Sequence, residues 1–210
     1  MRVGVDIRCL MDGRKTGVEE YAFHVLRAMV LSAPDDQFIL FANSRKPMHL
    51  PRFNASNVDL CAFSYSNTLF NASLKLLRRP RLDTLMGGLD VFFVPSVRLA
   101  PLRARCPLVV TVHDLSFVRT PEFFSRERRI WHRLMEPRQL IRRARTLIAV
   151  SEATATDLVM LYAVPRSRIA VVHSGIPMTE GTLSSNQDLK VRERCRRRYR
   201  LPARMPQGDC

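Results

Sequence analysis

One ten-residue stretch, LVVTVHDLSF from Leu108 to Phe117, constrains the fold more than any other part of the chain. Its first five residues are apolar or β-branched. A run this short and this rich in Val and Thr is typical of a strand that is buried on both faces inside a parallel sheet. Ligands of open α/β sheets bind beyond the carboxyl ends of the strands. We therefore expect His113 and Asp114, which directly follow this strand, to lie at a functional cleft.

Segments typical of strands and of helices alternate along most of the chain. Short apolar runs predict further strands at Arg2–Ile7, Phe38–Ala42, Asn57–Phe63, Asp90–Val94, Thr146–Val150 and Ile169–Val172. Helices are predicted from Val18, across 68–88 with a break at Pro80, across 122–144 with a division at Pro137, and from Ser151 to about Tyr162. This alternation predicts an α/β fold: a single Rossmann-like domain with a parallel sheet and helices on both of its faces.

The turn between the first strand and the first helix contains a second candidate site. Thr16-Gly17 stands at the start of the predicted helix. Free backbone N–H groups and the positive end of the helix dipole make such a position suitable for an anion. A glycine at a helix start is also commonly only part of the turn, and the GxGxxG pattern of dinucleotide-binding folds is missing. Both interpretations of Gly17 stay open.

The chain is strongly basic, with a formal net charge of +15 over 210 residues. Such a charge favours anionic partners. Much of it lies in two segments, Arg126–Arg145 and Lys190–Arg200. Few aromatic residues are interleaved with these arginines, so we rank nucleic acid below an anionic membrane surface or a nucleotide phosphate. The simpler alternatives are a solvated helix face for the first segment and a solvated, disordered terminus for the second.

The cysteines and the hydropathy pattern exclude several classes of protein. The five cysteines show no CxxC pair and no histidine at ligand spacing, so we expect neither a metal site nor a disulfide framework. No apolar run approaches the roughly 18 residues that predict a membrane span, and the N-terminus lacks the pattern of a signal peptide. We therefore expect a cytoplasmic protein, with peripheral contact to the inner face of the membrane as a further interpretation of its basic segments.

Several segments together resemble a known family. They are VGVDIR, TGVEEYAFHVLRAM, PLVVTVHDLSFVRTPEFFS, RRARTLIAVSEATATDLV and VPRSRIAVVHSG. In their order and spacing they resemble the N-terminal, acceptor-side domain of the family 4 glycosyltransferases, which have the two-domain GT-B fold. The resemblance covers about residues 1–177. We assign residues 178–210 to a basic tail, either a linker or a disordered remnant.

The resemblance implies a retaining transfer of sugar from a nucleotide-sugar donor to a glycan or lipid-linked acceptor. It implies no further cofactor and no metal. By position, Gly17 would bring backbone N–H groups to the donor diphosphate, and His113 would be the catalytic residue that faces the transferred sugar. Asp114, Ser151 and Glu152 would shape the rim of the site. Each has a simpler alternative: His113 as a strand-end histidine, Asp114 as a loop hydrogen-bond acceptor, and Ser151 with Glu152 as a helix cap.

The sequence departs from the family's pattern in two places. Ser174-Gly175-Ile176-Pro177 stands where the family often has an Asn-Gly-Val-Asp type of ending. The family's donor-binding half, with its Arg/Lys pair and Glu-x7-Glu carboxylates, does not follow in the 210 residues. We therefore expect a truncated or split form with little transfer activity alone, and a separate donor-binding domain as a partner. The alternative is a non-catalytic binding module for a partner protein or an anionic membrane surface.

Overall fold

The structure is a computed structural model that describes residues 1–11, 16–45, 53 and 55–175, apart from the side chains of His132 and Arg133. Met1–Ser174 forms one compact unit. The predicted tail at 178–210, which includes the basic segment Lys190–Arg200, lies outside the described residues, as does Ile176-Pro177. The division of the chain between domain and tail therefore stays a prediction.

Seven strands form one sheet: β1 (Arg2–Asp6), β2 (Gln37–Asn43), β3 (Val58–Phe63), β4 (Val91–Val94), β5 (Leu108–Val112), β6 (Thr146–Ala149) and β7 (Ile169–Val171). They pair in parallel throughout, in the order β3-β2-β1-β4-β5-β6-β7. The predicted parallel sheet is thus confirmed. The strand order reverses between β1 and β4, which is the kind of switch point where open α/β sheets bind ligands.

Within the described residues, the helices between these strands are α1 (Gly17–Ser32), α2 (Asn67–Leu76), α3 (Leu82–Leu85), α4 (Ser116–Arg119), α5 (Arg126–Leu134), α6 (Pro137–Arg143) and α7 (Glu152–Tyr162). Short 3₁₀ turns occur at Arg8–Leu10, Pro121–Phe123 and Arg166–Arg168. The predicted division at Pro137 is confirmed, because α5 ends before it and α6 begins on it. None of the described helices is long and apolar enough to cross a bilayer.

The two faces of the sheet belong to two separate hydrophobic clusters. Val3 and Val5 of β1 pack in one cluster with Ala22 and Leu26 of α1. The other cluster combines residues of β4, β5 and β6 with residues of α2, α6 and α7, such as Leu158. Alternate residues along each strand point to opposite faces, so the clusters lie on opposite sides of the sheet. The predicted Rossmann-like arrangement with helices on both faces is therefore confirmed.

Candidate functional site

A cavity of about 400 Å³ opens at the carboxyl ends of β1, β4 and β5. Cys9 follows β1, Arg98 follows β4, and His113 follows β5, and all three line the cavity. The start of α1 contributes Thr16, Val18 and Glu19 to the wall. Because β1 and β4 flank the reversal of strand order, the cavity lies where a doubly wound sheet binds its ligand.

His113 is held in this cavity by two contacts of its ring. Nε2 donates a hydrogen bond to the carbonyl oxygen of Pro95, at 2.9 Å. Since a carbonyl oxygen can only accept, this bond places the proton of a neutral ring on Nε2 and leaves Nδ1 as the acceptor. On another side the ring meets Tyr21 edge to face, with centroids 4.8 Å apart. His113 is half-buried, so its ring is positioned by the fold and is still accessible to a ligand.

The phenol of Tyr21 is itself fixed by the sheet. Its hydroxyl forms a hydrogen bond of 3.2 Å with Oγ1 of Thr111, the buried threonine of β5. Burial raises the pKa of Tyr21, with the bond to Thr111 opposing this in part. From the sequence, Tyr21 was predicted only to lie in the helix that begins at Val18. Its link to β5 became visible only with the packing of α1 on the sheet.

Gly17 is the first residue of α1 and lies between two residues that line the cavity, Thr16 and Val18. The backbone N–H of Thr16 donates to Oε2 of Glu19 at 2.8 Å. The N–H groups of the first helical turn have no partner within the helix. Among the described residues, a Cβ added at Gly17 would meet no atom within 4 Å. Packing inside the domain therefore does not require glycine here, and the space beside its backbone is open to a ligand.

Asp114 lines the same cavity, but one of its carboxylate oxygens is used inside its own loop. Oδ1 accepts hydrogen bonds from the backbone N–H of Ser116, at 2.9 Å, and from the Ser116 hydroxyl. These bonds fix the start of α4 behind β5. Asp114 therefore lies beside His113 at the cavity, and its hydrogen bonds to Ser116 hold the loop in place.

Ser151 and Glu152 are not among the residues that line this cavity. Ser151 Oγ accepts from the backbone N–H of Thr154 at 3.1 Å, so the predicted N-cap of α7 is confirmed. Glu152 forms an exposed ion pair with Arg166. The connection to the site is indirect: Oγ1 of Thr154, in contact with Ser151, donates to the backbone carbonyl of His113 at 3.1 Å.

Three charged residues were not identified by the sequence analysis: Asp6 and Arg8 around the end of β1, and Arg98, which lines the cavity. Asp6, at the end of β1, is buried and accepts hydrogen bonds from Arg8 Nε at 2.9 Å and Nη2 at 2.6 Å. Burial raises the pKa of Asp6, but the charge and hydrogen bonds of Arg8, with a contribution from Arg98, outweigh it and hold that pKa below its usual value. No described carboxylate pairs with the Arg98 guanidinium within 4 Å. Arg98 thus adds a cation to the cavity.

Arg98 could have been identified from the sequence, because it lies a few residues after the carboxyl end of a predicted strand. It follows β4, as His113 follows β5, and the rule that ligands bind at carboxyl ends applies to both strands. Cys9 offers less chemistry, because burial, aided by the charge of Asp6, raises the pKa of its thiol to about 11. Among the described residues, no group of three His, Cys, Asp or Glu side chains is placed to hold a metal ion.

Comparison with known proteins agrees with this architecture. The family model described as Glycosyltransferase Family 4 matches residues 6–180. No curated protein sequence matches the chain.

Among solved structures, the chain is similar to Alr3699/HepE of Anabaena in complex with UDP, with a TM-score of 0.51 and 18% identity over 92% of this chain and 49% of the other. The complex of the same protein with UDP-glucose gives 0.51 and 18% over 93% and 50%. The chain thus spans about half the length of the structures it matches. At this level of identity, the similarity shows the fold.

Proposed function

The chain belongs to glycosyltransferase family 4, and from this membership we propose that it is the acceptor-side domain of a nucleotide-sugar-dependent, retaining glycosyltransferase. The observation that carries the proposal is the placement of His113. Its ring lines a cavity at the switch point of the sheet, fixed by the carbonyl of Pro95 and the ring of Tyr21. A sugar hydroxyl in this cavity would find a hydrogen-bonding group that is already oriented.

The donor is a nucleotide-sugar, and its diphosphate lies at the start of α1. Two of the similar structures are complexes with UDP and UDP-glucose, which supports this class of donor. The open space beside Gly17 lets phosphate oxygens approach the backbone N–H groups. Glu19 lies in the same first turn and repels an anion, so the cation of Arg98 is needed to balance it.

Within this proposal the remaining site residues support His113 and the rim. Asp114 keeps the β5–α4 loop in place through Ser116. Ser151 and Glu152 start the neighbouring helix, and Ser151 acts on His113 only through Thr154. The acceptor, a glycan or a lipid-linked saccharide, enters the cavity from the side of Phe117 and Trp131.

Transfer requires donor and acceptor in one closed cleft. The chain spans about half of the structures it matches, and we propose that efficient transfer needs a donor-binding domain in addition to this one. Substantial His113-dependent release of UDP from UDP-sugars by the purified chain would contradict this part of the proposal.

The site itself is tested by binding. In an NMR titration of the isotopically labelled chain with UDP-glucose, we expect saturable shifts of the Gly17 N–H and of the His113 ring. The unaltered chain should bind UDP-glucose more tightly than UDP, because His113 contacts the sugar. In His113→Ala the two ligands should bind with equal affinity. Shifts confined to other surfaces would overturn the proposal and favour the alternative, a non-catalytic binding module.

A further inference from the structure

Among the exposed large apolar side chains of the protein, five lie within one short part of the chain that also contains many arginines. We define the α4–α5 surface as residues 116–134, which include both helices and the turn between them. Its exposed apolar side chains and their exposed fractions are Val118 39%, Phe123 82%, Ile130 60%, Trp131 45% and Leu134 44%. Ile130 and Leu134 are four residues apart, and Trp131 is three before Leu134, so these side chains share one side of α5.

Arginines surround these apolar side chains. Residues 116–143 contain eight arginines and three glutamates. Some of the arginines hold the fold together: Arg119 pairs with Asp157, and Arg143 donates to the carbonyls of Arg103 and Cys106. By contrast, in the part of the chain that the structure describes, the guanidinium groups of Arg126, Arg128 and Arg129 have no acidic or carbonyl partner.

A cavity of about 1100 Å³ lies beside the α4–α5 surface. Five exposed arginines, 78, 126, 129, 138 and 142, contribute to its wall together with Ile130. Its only acidic lining residue, Glu136, is already paired with Arg78 at 2.9 Å. Phe117 lines both this cavity and the cavity of His113. The region therefore combines uncompensated positive charge with apolar area, next to the candidate site.

A solvated basic face would explain the arginines, but it does not explain the exposure of Phe123 and Ile130. Exposed aromatic and aliphatic side chains interleaved with arginines on a short helix favour a helix that lies in the plane of an anionic membrane interface. Each arginine near such a surface adds attraction, and each apolar side chain adds burial. An anionic membrane would therefore account for both the arginines and the exposed apolar side chains of the α4–α5 surface.

We propose that the α4–α5 surface docks on an anionic lipid bilayer, with α5 lying in the interface. Docking would place the large arginine-lined cavity at the lipid headgroups and bring the neighbouring His113 cavity close to the membrane surface. A lipid-linked acceptor would then reach His113 past Phe117. Only this last consequence rests on the proposed function, and vesicle binding itself does not depend on sugar transfer.

The protein provides its own probe, because Trp131 is the only tryptophan in the chain. With vesicles of phosphatidylcholine containing phosphatidylglycerol, we expect saturable binding and a shift of the Trp131 emission to shorter wavelength. Vesicles of pure phosphatidylcholine should give neither. An unchanged emission on binding, or equal binding to both kinds of vesicle, would overturn the proposal.

Two variants separate the contributions of charge and of apolar contact. Combined Arg126→Gln, Arg128→Gln and Arg129→Gln should weaken binding to the anionic vesicles by about 100-fold. Combined Phe123→Ser and Ile130→Ser should weaken it by at least about tenfold with no change in charge. All five side chains are exposed and none forms an ion pair within the described residues. Arg126, Arg129 and Ile130 also line the large cavity, and far-UV circular dichroism should show an unchanged fold in both variants.

A matched control carries the same loss of charge at other exposed positions: Arg27→Gln, Arg105→Gln and Arg145→Gln. Arg105 and Arg145 precede β5 and β6 and so lie at the amino ends of these strands, whereas the His113 cavity lies at the carboxyl ends. The control variant should bind within about twofold of the unaltered chain. If the control and the α5 variant lost equal affinity for the vesicles, the effect would come from net charge alone, and the proposal would be wrong. Loss of binding only when Lys190–Arg200 is neutralised, or tighter binding to RNA than to vesicles, would equally overturn the proposal.

Discussion

The rings of Tyr21 and His113 meet at an angle of 87°, with their centroids 4.8 Å apart. This contact joins α1 to the end of β5, and the Tyr21 hydroxyl completes it through Thr111 at 3.2 Å. His113 is therefore oriented by a residue 92 positions earlier in the chain. Tyr21 is a positioning residue for His113, and this role can be separated from its contribution to stability.

The variants Tyr21→Phe and Tyr21→Ala make that separation. Tyr21→Phe keeps the ring contact and loses one hydrogen bond, so we expect a loss of about 0.5–1.5 kcal/mol in the free energy of unfolding and unchanged NMR shifts of the His113 imidazole. Tyr21→Ala removes the ring and should move those shifts. Urea denaturation and imidazole NMR measure the two effects. Identical His113 shifts in Tyr21→Ala would show that Tyr21 does not position the histidine.

The buried pair of Asp6 and Arg8 should be a large contributor to stability. Arg8 is almost fully buried and also donates to the carbonyl of Leu99 at 2.7 Å. Asp6→Ala leaves the guanidinium buried without its counter-ion, and we expect a loss of about 3–5 kcal/mol in the free energy of unfolding. Asp35→Asn, at an exposed aspartate, is the control and should change it by less than about 0.5 kcal/mol. Comparable losses in both variants would contradict the assignment.

The same pair predicts how stability depends on pH. The pKa of Asp6 is lower in the folded protein than in the unfolded chain, so protons bind more tightly to the unfolded state. The contribution of Asp6 is therefore complete above its unfolded pKa and is lost as the pH falls through the folded pKa. Urea denaturation at a series of pH values from about 6 to 2 should show falling stability, with a shallower slope in Asp6→Asn. Parallel slopes would show that Asp6 is not responsible.

The elements of the fold were predictable because each is encoded locally. LVVTV forms β5 over Leu108–Val112, as expected, since an uninterrupted apolar run reflects burial on both faces. Pro137 divides the long helical region because proline cannot continue a helix from the preceding turn. The edge strand Val58–Phe63 gave a weaker signal, because most of its side chains are partly or fully exposed.

The composition of the candidate site was only partly predictable, because it depends on which strands are neighbours. His113 and Asp114 were found from a single strand end. Arg98 and the Asp6–Arg8 pair reach the same region only because β4 lies between β1 and β5. Ser151 follows the next strand, β6, and its capping bond to Thr154 accounts for it locally. Strand order is a property of the whole sheet, and apolar periodicity does not contain it.

Cys9 should be unreactive although it lines the cavity of His113. Its thiol pKa of about 11 means that only about one thousandth of it is ionised at pH 8, and the thiolate is the reactive form. We expect iodoacetamide to modify Cys9 far more slowly in the native protein than in urea, and more slowly than the half-buried Cys61. Peptide mass mapping distinguishes the two sites. Modification of Cys9 at the same rate in both conditions would indicate an open, ionised thiol.

Two glycine substitutions form a matched pair that separates stability from ligand binding. A Cβ at Gly4 would lie 2.3 Å from Leu89 Cδ1 and 2.7 Å from Cδ2 of the buried Phe92, so Gly4→Ala should cost about 1–3 kcal/mol of unfolding free energy. A Cβ at Gly17 meets no described atom within 4 Å, so Gly17→Ala should leave stability unchanged or raise it by up to about 1 kcal/mol. If the donor diphosphate approaches the backbone here, the same Gly17→Ala should weaken UDP binding. Thermal unfolding measures the stability of both variants, and titration with UDP measures their affinity for the nucleotide. Unaltered UDP affinity in a stable Gly17→Ala protein would leave this glycine with a role in turn geometry alone.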